Sequence, residues 1–197
     1  MKRYVLLDRD GTINVEKNYL ADPELLELLP GALEGLKSLA DLGLGLVVIT
    51  NQSGIGRGLM TEQQVDAVHQ RLRELLHVGN VQLQGIYVCP HHPQTPCHCR
   101  KPATGLVQQA AADCGFVPEH CFLIGDKPSD IALGKNIGAV SLLVRTGYGW
   151  QSEQADDLQA DDIVDDLPQA ACWITKHLSQ FPAPTPTASA LRPRPAT

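Results

Sequence analysis

The chain of 197 residues carries 16 Lys and Arg against 22 Asp and Glu, a formal net charge of −6, and 43% of it is apolar. That is one folded unit with a substantial core, and too acidic to wrap nucleic acid or lie on an anionic lipid surface. No apolar run approaches the roughly 18–20 residues that span a bilayer, and the one behind Lys2 and Arg3 stops at Asp8, short of the roughly 7–15 residues of a secretory signal. The expectation is a cytoplasmic protein with no membrane and no nucleic-acid partner.

Elements alternate along the chain. Tyr4-Val5-Leu6-Leu7 is a continuous apolar run, as in a strand buried on both faces. Leu33, Leu36, Leu39 and Ala40 recur at helical spacing and Gly43 is the stop. Leu46 to Ile49 is the second strand. Thr61-Glu62-Gln63-Gln64 reads as a capping box ahead of an amphipathic helix carrying Val65, Val68, Leu72 and Leu75. Gly85 to Val88 is the third strand, and a helix from Gly105 to Cys114 ends before Gly115. Cys121 to Ile124 is the fourth strand, residues 129–137 a helix, Val140 to Val144 the fifth strand. Asp162 to Asp166 reads as an edge strand and Leu167 to Leu178 as a closing helix. Strand–helix alternation predicts an α/β fold, a Rossmann-like parallel sheet with helices on both faces. It occupies residues 1–180 as one domain; residues 181–197, rich in Pro, Ala, Thr and Ser, are expected to be a disordered tail.

In an open parallel sheet, ligands bind beyond the carboxyl ends of the strands. Asp8-Arg9-Asp10-Gly11-Thr12 follows the first strand, Thr50-Asn51-Gln52-Ser53-Gly54 the second, and Gly125-Asp126-Lys127 with Asp130 the fourth. Three carboxylates, Asp8, Asp10 and Asp126, are therefore expected to converge, and a hard cation such as Mg²⁺ would relieve their repulsion. Asp8 suits a nucleophile on phosphorus and Asp10 a general acid and base. Thr50, the amides from Asn51 to Gly54, and Lys101 in Arg100-Lys101-Pro102 supply donors for phosphoryl oxygens. About 40 residues separate Asp10 from Thr50 and about 50 separate Thr50 from Lys101, too few for a cap domain. The segment from Glu16 to Tyr19 and the Cys-rich loop are then the candidates for shielding the site.

That loop, residues 89–99, reads Cys-Pro-His-His-Pro-Gln-Thr-Pro-Cys-His-Cys. Cys89, His91, Cys97 and Cys99 make a closed set for a structural Zn²⁺, with His92 and His98 as rivals for the fourth place. Metal binding would order a loop that three prolines keep from folding alone, and would fix the adjoining Arg100 and Lys101. Cys114, Cys121 and Cys172 read as core thiols. His69, His77, His120 and His177 carry no signal.

The order of these motifs resembles the haloacid dehalogenase (HAD) superfamily phosphatases over about residues 3–175: Asp8-Arg9-Asp10-Gly11-Thr12, then Thr50, then Lys101, then Gly125-Asp126 through Asp130. The resemblance implies Asp8 as nucleophile and Mg²⁺ ligand, Asp10 as acid/base offering its backbone carbonyl to the metal, Thr50 and Lys101 on the phosphoryl group, Asp126 on Mg²⁺, and Asp130 as support behind them. The zinc loop is similar to that of a subgroup acting on heptose bisphosphate or histidinol phosphate, and there it selects His91. Asp-Arg-Asp-Gly-Thr-Ile-Asn, Thr-Asn-Gln-Ser-Gly-Ile-x-Arg-Gly and Cys-Pro-His-His-Pro favour the heptose branch. The resemblance implies hydrolysis of the 7-phosphate, in ADP- or GDP-heptose synthesis for surface glycans such as lipopolysaccharide. No second apolar face is read from the sequence, which points to a monomer. The resemblance places Glu16, Lys17, Asn18 and Tyr19, Asn51, Gln52 and Ser53, Arg100 and Lys127 on the substrate. The alternatives are a histidinol-phosphate phosphatase and a non-catalytic zinc-stabilised phosphate-binding module.

Overall fold

In a computed structural model, which describes residues 2–180, six strands form one parallel sheet in the order β3-β2-β1-β4-β5-β6. They are β1 (Tyr4–Leu7), β2 (Gly45–Asn51), β3 (Gly85–Cys89), β4 (Phe122–Gly125), β5 (Val140–Val144) and β6 (Asp162–Val164). The helices are α1 (Ala32–Asp41), α2 (Ser53–Gly56), α3 (Glu62–His77), α4 (Gly105–Cys114), α5 (Pro128–Ile137), α6 (Gly149–Ser152) and α7 (Leu167–His177). The tail at 181–197 lies outside the described residues.

Alternate strand residues divide between two apolar layers, as the period of a strand requires. Val5, Leu7, Val48 and Ile124 face a core completed by residues of α1, α3 and α7. Tyr4, Leu6, Val47, Ile49 and Leu123 face one completed by α4 and α5. Thr61 caps α3 as expected, its hydroxyl accepting from Gln64 N at 3.2 Å while the Gln64 side chain accepts from Thr61 N at 2.8 Å. The short helices α2 and α6 carry no apolar period, and only the structure reveals them. Cys121 is buried as expected; Cys172 is exposed on α7 and is no core thiol.

β1 sits in the middle, with β2 on one side and β4 on the other. The chain reverses its direction of travel across the sheet there, and the loops after β1 and β4 splay apart to leave a crevice. Among the described residues, no helix is long and apolar enough to cross a membrane.

Candidate active site

The crevice holds a cavity of about 240 Å³ lined by Asp8, Asp10, Thr50, Lys101, Lys127 and their neighbours. Asp8 directly follows β1, and its amide donates to Ile124 O of β4 at 3.0 Å, which fixes the backbone at the bottom of the crevice. Lys101 Nζ lies between Asp8 Oδ1 at 2.8 Å and Asp130 Oδ1 at 2.7 Å, all three side chains being almost wholly buried. Burial alone would raise the Asp8 carboxyl; the Lys101 and Lys127 ammonium groups outweigh it and hold Asp8 below the usual carboxylate range. Asp126 is the opposite case: burial, reinforced by Asp8 and Asp130, pushes its carboxyl up to about 7 against the pull of Lys127.

The convergence differs from that expected of Asp8, Asp10 and Asp126. The carboxylates that converge are Asp8, Asp126 and Asp130, whose oxygens lie within 4.8 Å of one another. The Asp10 side chain turns instead to donors: Arg9 Nη2 at 2.7 Å, Asn14 Nδ2 at 2.9 Å and Gln52 Nε2 at 2.8 Å. A carboxylate with neutral and cationic donors within reach escapes the repulsion of the cluster. Only the Asp10 backbone carbonyl joins the cluster, 3.3 Å from Lys127 Nζ.

The Lys127 ammonium occupies the point these groups share. It stands 3.6 Å from Asp8 Oδ2, 3.4 Å from Asp126 Oδ1 and 3.5 Å from Glu16 Oε2. Asp126 Oδ1 is buried, with the Lys127 ammonium at 3.4 Å as its ionic partner. A carbonyl and two carboxylate oxygens are the hard donors that suit Mg²⁺. Gly11 and Gly147 make the approach possible. Both have positive φ, 83° and 55°, and a Cβ on either would strike the Asp126 carboxylate. Tyr148 N then donates to Asp126 Oδ2 at 2.9 Å, and Ser152 Oγ to Asp126 O at 2.7 Å, so α6 clasps this aspartate.

Of the expected substrate contacts, Glu16, Asn18, Tyr19, Asn51, Gln52, Ser53, Arg100 and Lys127 line the cavity. Lys17 does not: it is exposed and pairs with Glu27 at 3.2 Å. Asn51 clasps the backbone of Lys101, accepting from its amide at 3.0 Å and donating to its carbonyl at 3.3 Å. Arg100 has a buried Nη1 without a partner. Sequence reasoning missed Ser129 and Tyr148 in the lining, and Arg9, Asn14 and His69 behind Asp10. For His69 a signal existed, a polar residue on the buried face of α3 between Val65 and Leu72.

The loop after β3 brings Cys89, His91, Cys97 and Cys99 together, their ligand atoms all within 4.8 Å. Cys89 Sγ lies 3.8 Å from Cys97 Sγ and 3.6 Å from His91 Nδ1. The edge of a tetrahedron with ~2.3 Å metal–sulfur bonds is about 3.8 Å, so the thiol spacing fits zinc. Of the rival imidazoles, His92 Nδ1 accepts from Gln94 N at 3.2 Å and His98 is exposed. The loop is tied down at both ends, by Gly56 N to Pro90 O at 2.8 Å and Gly105 N to His98 O at 2.9 Å. Only its exit, Arg100 and Lys101, reaches the cavity lining.

A parallel sheet with an aspartate pair after its central strand, a lysine from a later loop and a further aspartate after the fourth strand define a HAD-like hydrolase. A family model described as "HAD-hyrolase-like" matches residues 98–170. The chain is 38% identical over 177 residues to a D-glycero-beta-D-manno-heptose-1,7-bisphosphate 7-phosphatase of Haemophilus ducreyi, covering 85% of this chain and 97% of that protein. It is equally identical to the enzyme of the same name from Escherichia coli K12, over 84% and 92% of the two chains. The crystal structure of a D,D-heptose 1,7-bisphosphate phosphatase from B. bronchiseptica, complexed with magnesium and phosphate, superposes with a TM-score of 0.83 at 28% identity over 89% of this chain and 99% of that one. The chain belongs to the heptose-bisphosphate phosphatase family of HAD-like hydrolases.

Proposed function

We propose that this protein is a Mg²⁺-dependent phosphatase that hydrolyses the 7-phosphate of D-glycero-D-manno-heptose 1,7-bisphosphate through an aspartyl-phosphate on Asp8. The observation that carries the reading is 38% identity over nearly the whole length of phosphatases named for that substrate, on a chain whose Asp8, Asp10, Thr50, Lys101 and Asp126 surround one cavity or its floor. No comparable observation favours histidinol phosphate or a binding module without turnover.

In the first step an Asp8 oxygen bonds to phosphorus while the bond from phosphorus to the C7 oxygen breaks, and Asp10 gives its proton to that oxygen. In the second, Asp10 takes a proton from water as the water oxygen attacks phosphorus, freeing phosphate and restoring Asp8 and protonated Asp10. Thr50 and Lys101 hold the phosphoryl oxygens in both steps. Asp8, Asp126 and the Asp10 carbonyl would hold Mg²⁺, which would supply positive charge to the phosphoryl transfer. Arg100, with its unpartnered buried Nη1, takes the distal phosphate or the sugar. Glu16, Asn18, Tyr19, Asn51, Gln52 and Ser53 position the sugar, and Lys127 helps bind the transferring group. Cys89, His91, Cys97 and Cys99 would hold Zn²⁺, which would fix the loop leading into Arg100 and Lys101. A monomer in the cytoplasm, supplying activated heptose for lipopolysaccharide, completes the reading.

The test is phosphate release from both anomers of the heptose bisphosphate beside histidinol phosphate, compared as kcat/KM in Mg²⁺. The expected result is a preference for a heptose anomer, with Asp8→Asn losing at least ~10³ in rate. A preference for histidinol phosphate would replace the substrate, and failure of every ester would remove the enzyme reading.

A further inference from the structure

Behind the cavity lies a charged group that the mechanism so far leaves idle. The Arg9 side chain has no exposed surface. Its Nη2 donates to both Asp10 oxygens, at 2.7 and 2.9 Å, and its Nε to Oδ1 at 3.1 Å. Its remaining terminal nitrogen, Nη1, ends 2.9 Å from Nε2 of His69, in the middle of α3. A guanidinium has only donors, so His69 Nε2 must be the bare nitrogen that accepts. The imidazole is therefore neutral, with its proton on Nδ1.

Three charged groups face His69: Arg9, Asp10 and Arg73. Burial and the Arg9 charge lower its pKa to about 3, which agrees with a fixed neutral acceptor. The acceptor also comes from a different layer of the fold. Asn14 and Arg9 belong to the loop after β1 and Gln52 to the turn after β2, whereas His69 is rooted in a 16-residue capped helix. Among the described residues it is the one hydrogen-bond contact on the Arg9 guanidinium that comes from outside the loop after β1.

We propose that His69 is a positioning residue for phosphoryl transfer: by accepting from Arg9 Nη1 it sets the plane of the guanidinium, which in turn aims the Asp10 carboxyl at the leaving oxygen. The inference rests on the phosphatase reading and on Asp10 as its acid. Without His69, Arg9 Nη1 is a buried donor with no acceptor, and the guanidinium must turn to find one, taking Asp10 with it.

A loss of aim has a signature that a loss of stability lacks. An alkoxide needs a proton to leave; p-nitrophenolate does not. Through the step in which the leaving group departs, kcat/KM is measured for the heptose bisphosphate and for p-nitrophenyl phosphate, in wild type, His69→Leu, His69→Gln and His69→Asn. The expected result for His69→Leu is a fall of roughly 10-fold or more on the sugar ester, with the aryl ester within about threefold of wild type. Gln carries an oxygen that can stand where Nε2 stands and restores the wild-type ratio; Asn is too short and does not. If His69→Leu fails to fold, the contrast between Gln and Asn decides. Equal losses on both esters, or none, overturn the proposal. Turnover by wild type that disappears in Asp8→Asn secures the parent reading independently, so the two can fail separately.

Discussion

At the scale of residues, the buried charge runs in two circuits that share only the backbone from Asp8 to Asp10. One joins Asp8, Lys101 and Asp130, with Lys127 and Asp126 alongside. The other joins Asp10, Arg9 and His69. Motif spacing made the first circuit legible, Asp130 included, whose carboxylate braces Lys101 at 2.7 Å. The second was hidden because its partners lie far along the chain: Gln52 is 42 residues from Asp10 and His69 is 60 from Arg9. Nothing local to Asp10 tells which way its carboxylate turns. The His69 contact has a consequence for stability. Below its ordinary pKa of 6.5 the unfolded chain gains a proton at His69 that the native state refuses until about pH 3. A native pKa below the unfolded one means stability is lost as pH falls across that window, with a slope approaching about 1.4 kcal/mol per pH unit. In urea titrations at pH 7, 5.5 and 4.5, wild type is therefore expected to lose its advantage over His69→Gln, which cannot titrate. A gap between the two that stays constant with pH would contradict the buried neutral imidazole.

At the scale of elements, the six strands and five long helices were readable to within about two residues, because period and caps are local properties. β2 runs on through Thr50 and Asn51, since Asn51 pairs with Cys89 of β3, a partner that only the assembled sheet supplies. That pairing sets the start of the Cys-rich loop beside the Thr50 turn. α2 then braces the loop at Gly56, where a Cβ would strike the backbone of Pro90, His91 and His92. Gly56→Ala therefore forces the loop away from α2. Zinc affinity, read by competition with a chromophoric chelator, is expected to fall roughly 10-fold, as when the support of a metal ligand is lost. Phosphatase kcat/KM should fall with it through Arg100 and Lys101. Unchanged affinity would mean that the four ligands hold themselves.

At the scale of the molecule, an uncapped sheet leaves its catalytic edge to be closed by loops from five strand ends. Such an edge gathers like charge. At full ionisation Asp8, Asp126, Asp130 and Glu16 stand against Lys101 and Lys127, which leaves two negative charges for one divalent cation to cancel. Removing Lys127 should then make the fold lean on the metal. Lys127→Met is expected to melt about 3–6 °C below wild type in a chelator, the shift that 1–2 kcal/mol produces in a chain of this size, and the difference should shrink when Mg²⁺ is added. A variant that melts at or above wild type in the chelator would refute the charge balance.

The contacts of the Lys127 ammonium are all long, 3.3 to 3.6 Å, and spread over four oxygens. A tethered counter-ion of that kind balances the acidic rim without committing to any one oxygen. Such a side chain can move aside without breaking a short bond.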